Sequence, residues 1–196
     1  MISIAIDLLV VPVGAADHRD VLFLSEELPK RFPIRLVTYP SLWALQPPIS
    51  AFDWARMQYR ADVVNGWLYK VLAGALGDRR LGLGIVNADG YVEGLNFVFG
   101  LASPDLRVAT VYVRRLESGA SLETYRVRLL KEAMHEVGHL LGLGHCEDPG
   151  CVMSFSNSLQ DVDRKEARFC ERCSLALRRL EAAYMSTTNR SLQHPS

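Results

Sequence analysis

His135-Glu136-Val137-Gly138-His139-Leu140-Leu141-Gly142-Leu143-Gly144-His145 is the stretch from which the rest of the chain is best read. The chain holds five histidines in 196 residues, and three of them fall inside this short run. Two imidazoles four residues apart enclose an acid, a glycine follows three residues later, and a third imidazole closes the run. That spacing suits a zinc ion with one coordination position left open. The plainer alternative is a buried helix with incidental histidines.

The flanking pattern predicts a helix over 122–141. Leu122, Tyr125, Leu129, Ala133, Val137 and Leu140 recur at steps of three and four, the mark of one buried face. Ser121 is a suitable N-cap, and Glu123 and Glu132 are expected at the surface. On such a helix His135 and His139 share a face, so both rings can reach one ion. Glu136 is turned by about one residue step and lies beside the ion rather than on it. Gly142 permits the left-handed helix stop that would bring His145 back as a third ligand. Three protein ligands leave a fourth position for water, as in a catalytic site. Bound zinc acidifies that water and polarises a carbonyl, and Glu136 is placed to act as general base.

All four cysteines lie in the last third of the chain: Cys146, Cys151, Cys170 and Cys173. Two short-spaced pairs of this kind suit a closed Cys₄ zinc site that fixes structure and offers no open position. Disulfides, a Cys170/Cys173 redox pair and unlinked thiols are the rivals. No secretion signal is read at the start, so a reducing cytosol is expected and disulfides are disfavoured. The thiol of Cys146 also competes in principle with its neighbour His145 for the first metal.

The combined string His135-Glu136-x-x-His139-x-x-Gly142-x-x-His145-Cys146, then Cys151-x-Met153 and Cys170-x-x-Cys173, resembles the archaemetzincins, a branch of the metzincin clan of zinc peptidases. The histidines alone indicate metzincins broadly, and the cysteines narrow the resemblance to this branch. It implies that His135, His139 and His145 bind a catalytic zinc, that Glu136 is the general base, and that Cys146, Cys151, Cys170 and Cys173 hold a second zinc. Met153 matches the methionine of the clan's Met-turn, a hydrophobic floor under the metal. Some metzincins carry a tyrosine two residues later that approaches the metal. This chain has Phe155, which cannot ligate, so stabilisation of an oxyanion by a phenol there is in doubt.

Beyond the motif, 49% apolar content is enough for one well-cored domain. Twenty-two basic and 22 acidic residues cancel, which argues against nucleic acid or anionic membrane as partner. No apolar run reaches the roughly 18 residues of a membrane span. The opening run 2–11 has no basic lead-in and contains Asp7, so it reads as a buried strand. Further strands are predicted at 34–39, 81–87, 95–102 and 107–113, with helices at 18–31, 53–75 and 169–185. The sum is an α+β fold with an α/β-like N-terminal lobe: a mostly parallel mixed sheet, backing helices and the zinc helix, then a small C-terminal lobe with the Met-turn and a terminal helix. A single domain over 1–186 is expected, with lobes meeting near Gly142 and 187–196 as a tail in which His194 is inert.

In metzincins an antiparallel edge strand pairs with substrate, and by order 95–102 is the match. Its continuous apolar run reads equally well as an interior strand. Arg114-Arg115 is expected at a solvated strand end, with a substrate carboxylate as the lesser alternative. The function expected is that of a monomeric zinc metallopeptidase with two zinc ions per chain, acting on peptide or protein substrates. The alternative is a non-hydrolytic, zinc-binding peptide-recognition module.

Overall fold

The computed structural model describes residues 5–76 and 80–193, the last eleven as backbone only. Strand β1 (Ile6–Val13) alternates its side chains across a sheet that is covered on both faces. Leu8 and Val10 enter one core, and Val11 and Val13 enter another on the opposite side. The sheet is completed by β2 (Leu36–Pro40), β5 (Arg80–Val86), β8 (Val108–Tyr112) and β7 (Gly100–Ser103), in the order β2-β1-β5-β8-β7. The first four strands are parallel, and β7 runs antiparallel to β8 at the edge.

Helix α1 (His18–Arg31) matches its predicted span, with Asp17 accepting the Arg19 N–H as N-cap. It shares one face of the sheet with α3 (Leu122–Leu140), and α2 (Ala61–Leu76) covers the other. Tyr125 of α3 donates to Asp20 of α1 at 2.6 Å, a polar tie between two apolar faces. The α3 core also takes in Val152, Met153, Val162 and Leu177, so the C-terminal segment packs onto the same cluster. That segment contains α4 (Leu159–Arg164), which the sequence reading missed, and α5 (Glu171–Gln193). The backbone of α5 runs eight residues past the predicted end at 185, through most of the segment read as a tail. His194 and the start of the 2–11 run lie outside the described residues.

Two predicted spans change. The helix predicted over 53–75 begins only at Ala61, because a short second sheet precedes it. Strand β3 (Phe52–Asp53) pairs antiparallel with β4 (Gln58–Arg60), which runs parallel to β6 (Gly90–Tyr91). The Asp53 carboxylate accepts the Ala55 and Arg56 N–H groups, and Met57 takes a left-handed φ of 56°. This side-chain-capped turn competes with helix and wins locally. The strand predicted over 95–102 is regular only over Gly100–Ser103. Ahead of it, Arg56 and Gln58 bind the Leu95 and Asn96 carbonyls, and Val98 forms an isolated bridge to Gly90 of the second sheet. Among the described residues, no helix is long and apolar enough to cross a membrane.

Candidate metal centre and cleft

Helix α3 is capped by Ser121, which accepts the Thr124 N–H, and it stops in a way that builds part of the site. Gly142 takes φ +89° and donates to the His139 carbonyl, while Leu143 N–H reaches back to the Gly138 carbonyl. This is a Schellman stop, which requires a left-handed residue at Gly142. The reversed chain puts the Leu143 carbonyl 2.7 Å from His139 Nδ1. His135 Nδ1 lies 2.9 Å from the Val152 carbonyl. Carbonyl oxygens only accept, so both Nδ1 atoms carry protons and both Nε2 atoms present lone pairs.

Those two Nε2 atoms face each other at 3.0 Å. Facing lone pairs repel unless a cation lies between them. With Zn–N distances of about 2.0–2.1 Å, a tetrahedral ion would hold its nitrogens roughly 3.3 Å apart. His145 joins from beyond the helix, and one ring nitrogen from each of the three histidines falls within 4.8 Å of the others. The donor set fits zinc in number and chemical type. Burial is the first cause that holds all three imidazoles below their ordinary pKa, which keeps them neutral and able to ligate.

Glu136 extends from the same helix into a cleft of about 770 Å³ shared with the three histidines. Burial pushes its carboxyl well above the ordinary range, and nearby Glu132 adds to the rise. Lys165 and the Ala102 N–H of edge strand β7 oppose it. A Cβ at position 100 would sit 2.5 Å from Glu136 Cγ and Oε1, so the absence of a side chain at Gly100 makes room for the acid. The edge strand is β7, which keeps only the end of the predicted 95–102 span, and β8 is its neighbour within the sheet. Met153 lies directly against Gly138, three residues after His135 on the same helix. Phe155 is half exposed in the cleft wall, with its ring 4.9 Å from that of His145.

The four cysteines gather into a second group whose sulfurs all lie within 4.8 Å. None forms a disulfide. Cys146 Sγ and Cys170 Sγ are 3.7 Å apart, close to the roughly 3.8 Å that Zn–S bonds of about 2.3 Å impose on a tetrahedron. Cys170 and Cys173 do open helix α5, but Cys146 and Cys151 complete the set, so they are not an isolated redox pair. Burial pushes the Cys146 thiol up, and the Asp148 N–H, Arg172 and the neighbouring thiols outweigh it, bringing it to about 7. Cys146 therefore sides with the sulfurs and leaves His145 to the imidazole group.

Two groups escaped the sequence reading. Glu132, expected at the surface, is only 3% exposed and lies in the cleft wall. Its Oε1 meets Lys165 Nζ at 2.8 Å, and Lys165 is itself 1% exposed. The available signal was position: Glu132 is one helical turn before Glu136 and so shares its face. Arg115, expected in solvent, clamps Asp89 through two bonds of 2.8 and 2.6 Å and lies over the Phe97 ring.

Residues 36–179 match peptidase family M54. The chain belongs to that family. An archaemetzincin of Aeropyrum pernix is 52% identical over 143 residues, covering 70% of this chain and 78% of that protein. The Saccharolobus solfataricus archaemetzincin is 43% identical over 138 residues, covering 68% and 73%. Among solved structures, the archaemetzincin of Archaeoglobus fulgidus complexed with malonate superposes with a TM-score of 0.71 at 36% identity, covering 87% of this chain and 99% of that one. The zinc-dependent peptidase of Methanocorpusculum labreanum gives 0.77 at 29% identity, with the same coverages. This M54 chain is accordingly a zinc metallopeptidase with an α+β fold, and it carries one His₃ and one Cys₄ group that could hold zinc.

Proposed function

We propose that the M54 chain hydrolyses peptide bonds at the His135-His139-His145 centre with Glu136 as general base, and that Cys146, Cys151, Cys170 and Cys173 hold a second, structural zinc. The observation that carries this reading is the convergence of three neutral imidazoles beside one carboxylate in a single cleft. When bound there, zinc supplies Lewis acidity to the water and to the scissile carbonyl. The Leu143 and Val152 carbonyls fix the ring orientations of His139 and His135. Glu136 takes a proton from the attacking water on its carboxylate and passes it to the departing amine. Its high proton affinity in this buried setting suits both halves of that transfer. Edge strand β7 offers its backbone to an extended peptide, which recognises main chain more than sequence.

We further infer a monomer with two lobes that meet near Gly142, working in the cytosol. Four unpaired thiols suit a reducing compartment. The test is metal quantification joined to a peptide-library digest of the parent, Glu136→Gln and Cys170→Ser. Two zinc ions per parent chain, with cleavage abolished in Glu136→Gln while one His-site zinc persists in Cys170→Ser, supports the assignment. A Glu136→Gln protein that cleaves like the parent overturns the base. A parent that binds peptides without cutting them supports the recognition module instead.

A further inference from the structure

We propose that Glu132 forms the floor of a subsite in this cleft that selects a cationic substrate side chain, lysine or arginine. The inference rests on the reading of the cleft as a peptide-hydrolysing site. Its starting point is a charge inventory. Among the described residues, the side chains lining the cleft include the carboxylates Glu132 and Glu136 and no lysine or arginine. Glu136 has a task at the water. Glu132 has none in the hydrolytic steps, yet it is buried in the same wall.

Lys165 does not cancel the effect of this acid on substrate. Lys165 is not part of the wall and Glu132 is, so the carboxylate is the member of the pair that meets the cleft. The pair meets at 2.8 Å, but off-axis: neither Glu132 Oε1 nor Lys165 Nζ has a properly directed hydrogen bond. A buried acid satisfied only by an oblique contact retains capacity for a second donor. As a structural tie, such a pair gains little over two apolar side chains of similar volume. As a charge facing substrate, it discriminates.

Position sets the reach. Glu132 precedes Glu136 by one helical turn, about 6 Å along the axis. A side chain next to the scissile bond therefore needs a long stem and a donor at its tip. Lysine and arginine have both, and their methylenes pack on apolar wall such as that of Phe97 and Phe99. An acidic side chain would add a third carboxylate beside Glu132 and Glu136, and leucine would desolvate the Glu132 carboxylate with no donor beyond Lys165.

The experiment measures binding apart from turnover. Zinc-loaded Glu136→Gln protein is titrated by calorimetry with blocked peptides in which one position at a time is lysine, arginine, leucine or glutamate. The expected result is one position at which lysine or arginine binds about tenfold or more tighter than leucine, with glutamate weakest. Adding Glu132→Gln together with Lys165→Met removes both charges and should bring the lysine-to-leucine ratio towards one. Absence of any such position in the Glu136→Gln protein overturns the proposal without recourse to the other variants, as does a ratio that survives the double change. Residual cleavage by Glu136→Gln would instead count against the assignment of the base and leave the affinity ratios readable.

Discussion

Gly100→Ala should disable turnover without touching a metal ligand. The added Cβ would lie 2.5 Å from Glu136 Cγ and Oε1 and 2.6 Å from Cδ. Non-bonded carbon contacts settle at about 3.5–4.0 Å, so the acid must retreat by about 1 Å. Its helix is packed on the sheet, which leaves the side chain to rotate rather than the backbone to move. A displacement of about 1 Å costs on the order of 10²-fold in rate, within the 10²–10⁴-fold attributed to a positioned base. We therefore expect kcat to fall about 100-fold with KM little changed, because the β7 backbone keeps its course. Overpacking should cost about 1–3 kcal/mol of stability, and zinc content should stay at the parent value. Steady-state kinetics, metal analysis and thermal melts on one preparation read all three. In a Glu136→Asp background the shorter acid leaves room for the methyl, so Gly100→Ala should cost much less there. Parent-like turnover in the single variant, or full additivity in the pair, would refute the argument that the bare backbone at position 100 seats the base.

Cys151→Ser should reduce metal content from two ions to one and lower the melting temperature, since binding free energy at a closed site is folding free energy; unchanged stoichiometry would remove the second site. Arg128→Met should destabilise by about 2–4 kcal/mol in urea titrations. It deletes a two-bond clamp on Asp163 and contacts to the Leu116 and Ser118 carbonyls. Gly138→Ala should displace Met153, whose sulfur occupies the space a Cβ would need, and weaken zinc retention against a chelator. The pH dependence follows from the depressed imidazoles. Burial holds His135 well below its ordinary 6.5, so its contribution is intact above that value and is lost as pH falls below it. Melting of chelator-treated protein should therefore drop below about pH 6.5, and less steeply in His135→Phe.

The zinc helix was legible because its signals agree: apolar residues at steps of three and four, Ser121 at the start and Gly142 at the stop. The cysteine group could be read as well, since sulfur ligands have few other uses at such spacing. What failed did so where distant partners override local preference. Trp54 and Ala55 read as helix, but the carboxylate of Asp53 and the reach of Arg56 to the Leu95 and Asn96 carbonyls hold them in a turn. The same two carbonyls lie in the predicted strand at 95–102, ahead of the part that pairs as β7. Glu132 was misplaced because its burial depends on Lys165, 33 positions away in sequence and joined to it only by folding. Charge type alone gives no warning of such a pair.

Cys151, Val152 and Met153 are consecutive and reach both groups: the first gives a sulfur to the thiol cluster, the next a carbonyl to His135, and the third packs on Gly138 of the zinc helix. The Cys146 N–H closes the set by binding the Met153 carbonyl at 2.9 Å, directly after His145. Two candidate ion sites that share one short stretch of backbone have a direct route for thermodynamic coupling. If filling one group changes the affinity of the other, the reverse change has the same factor. Oxidation of the sulfurs would then register across the tripeptide as a looser hold on the reactive ion.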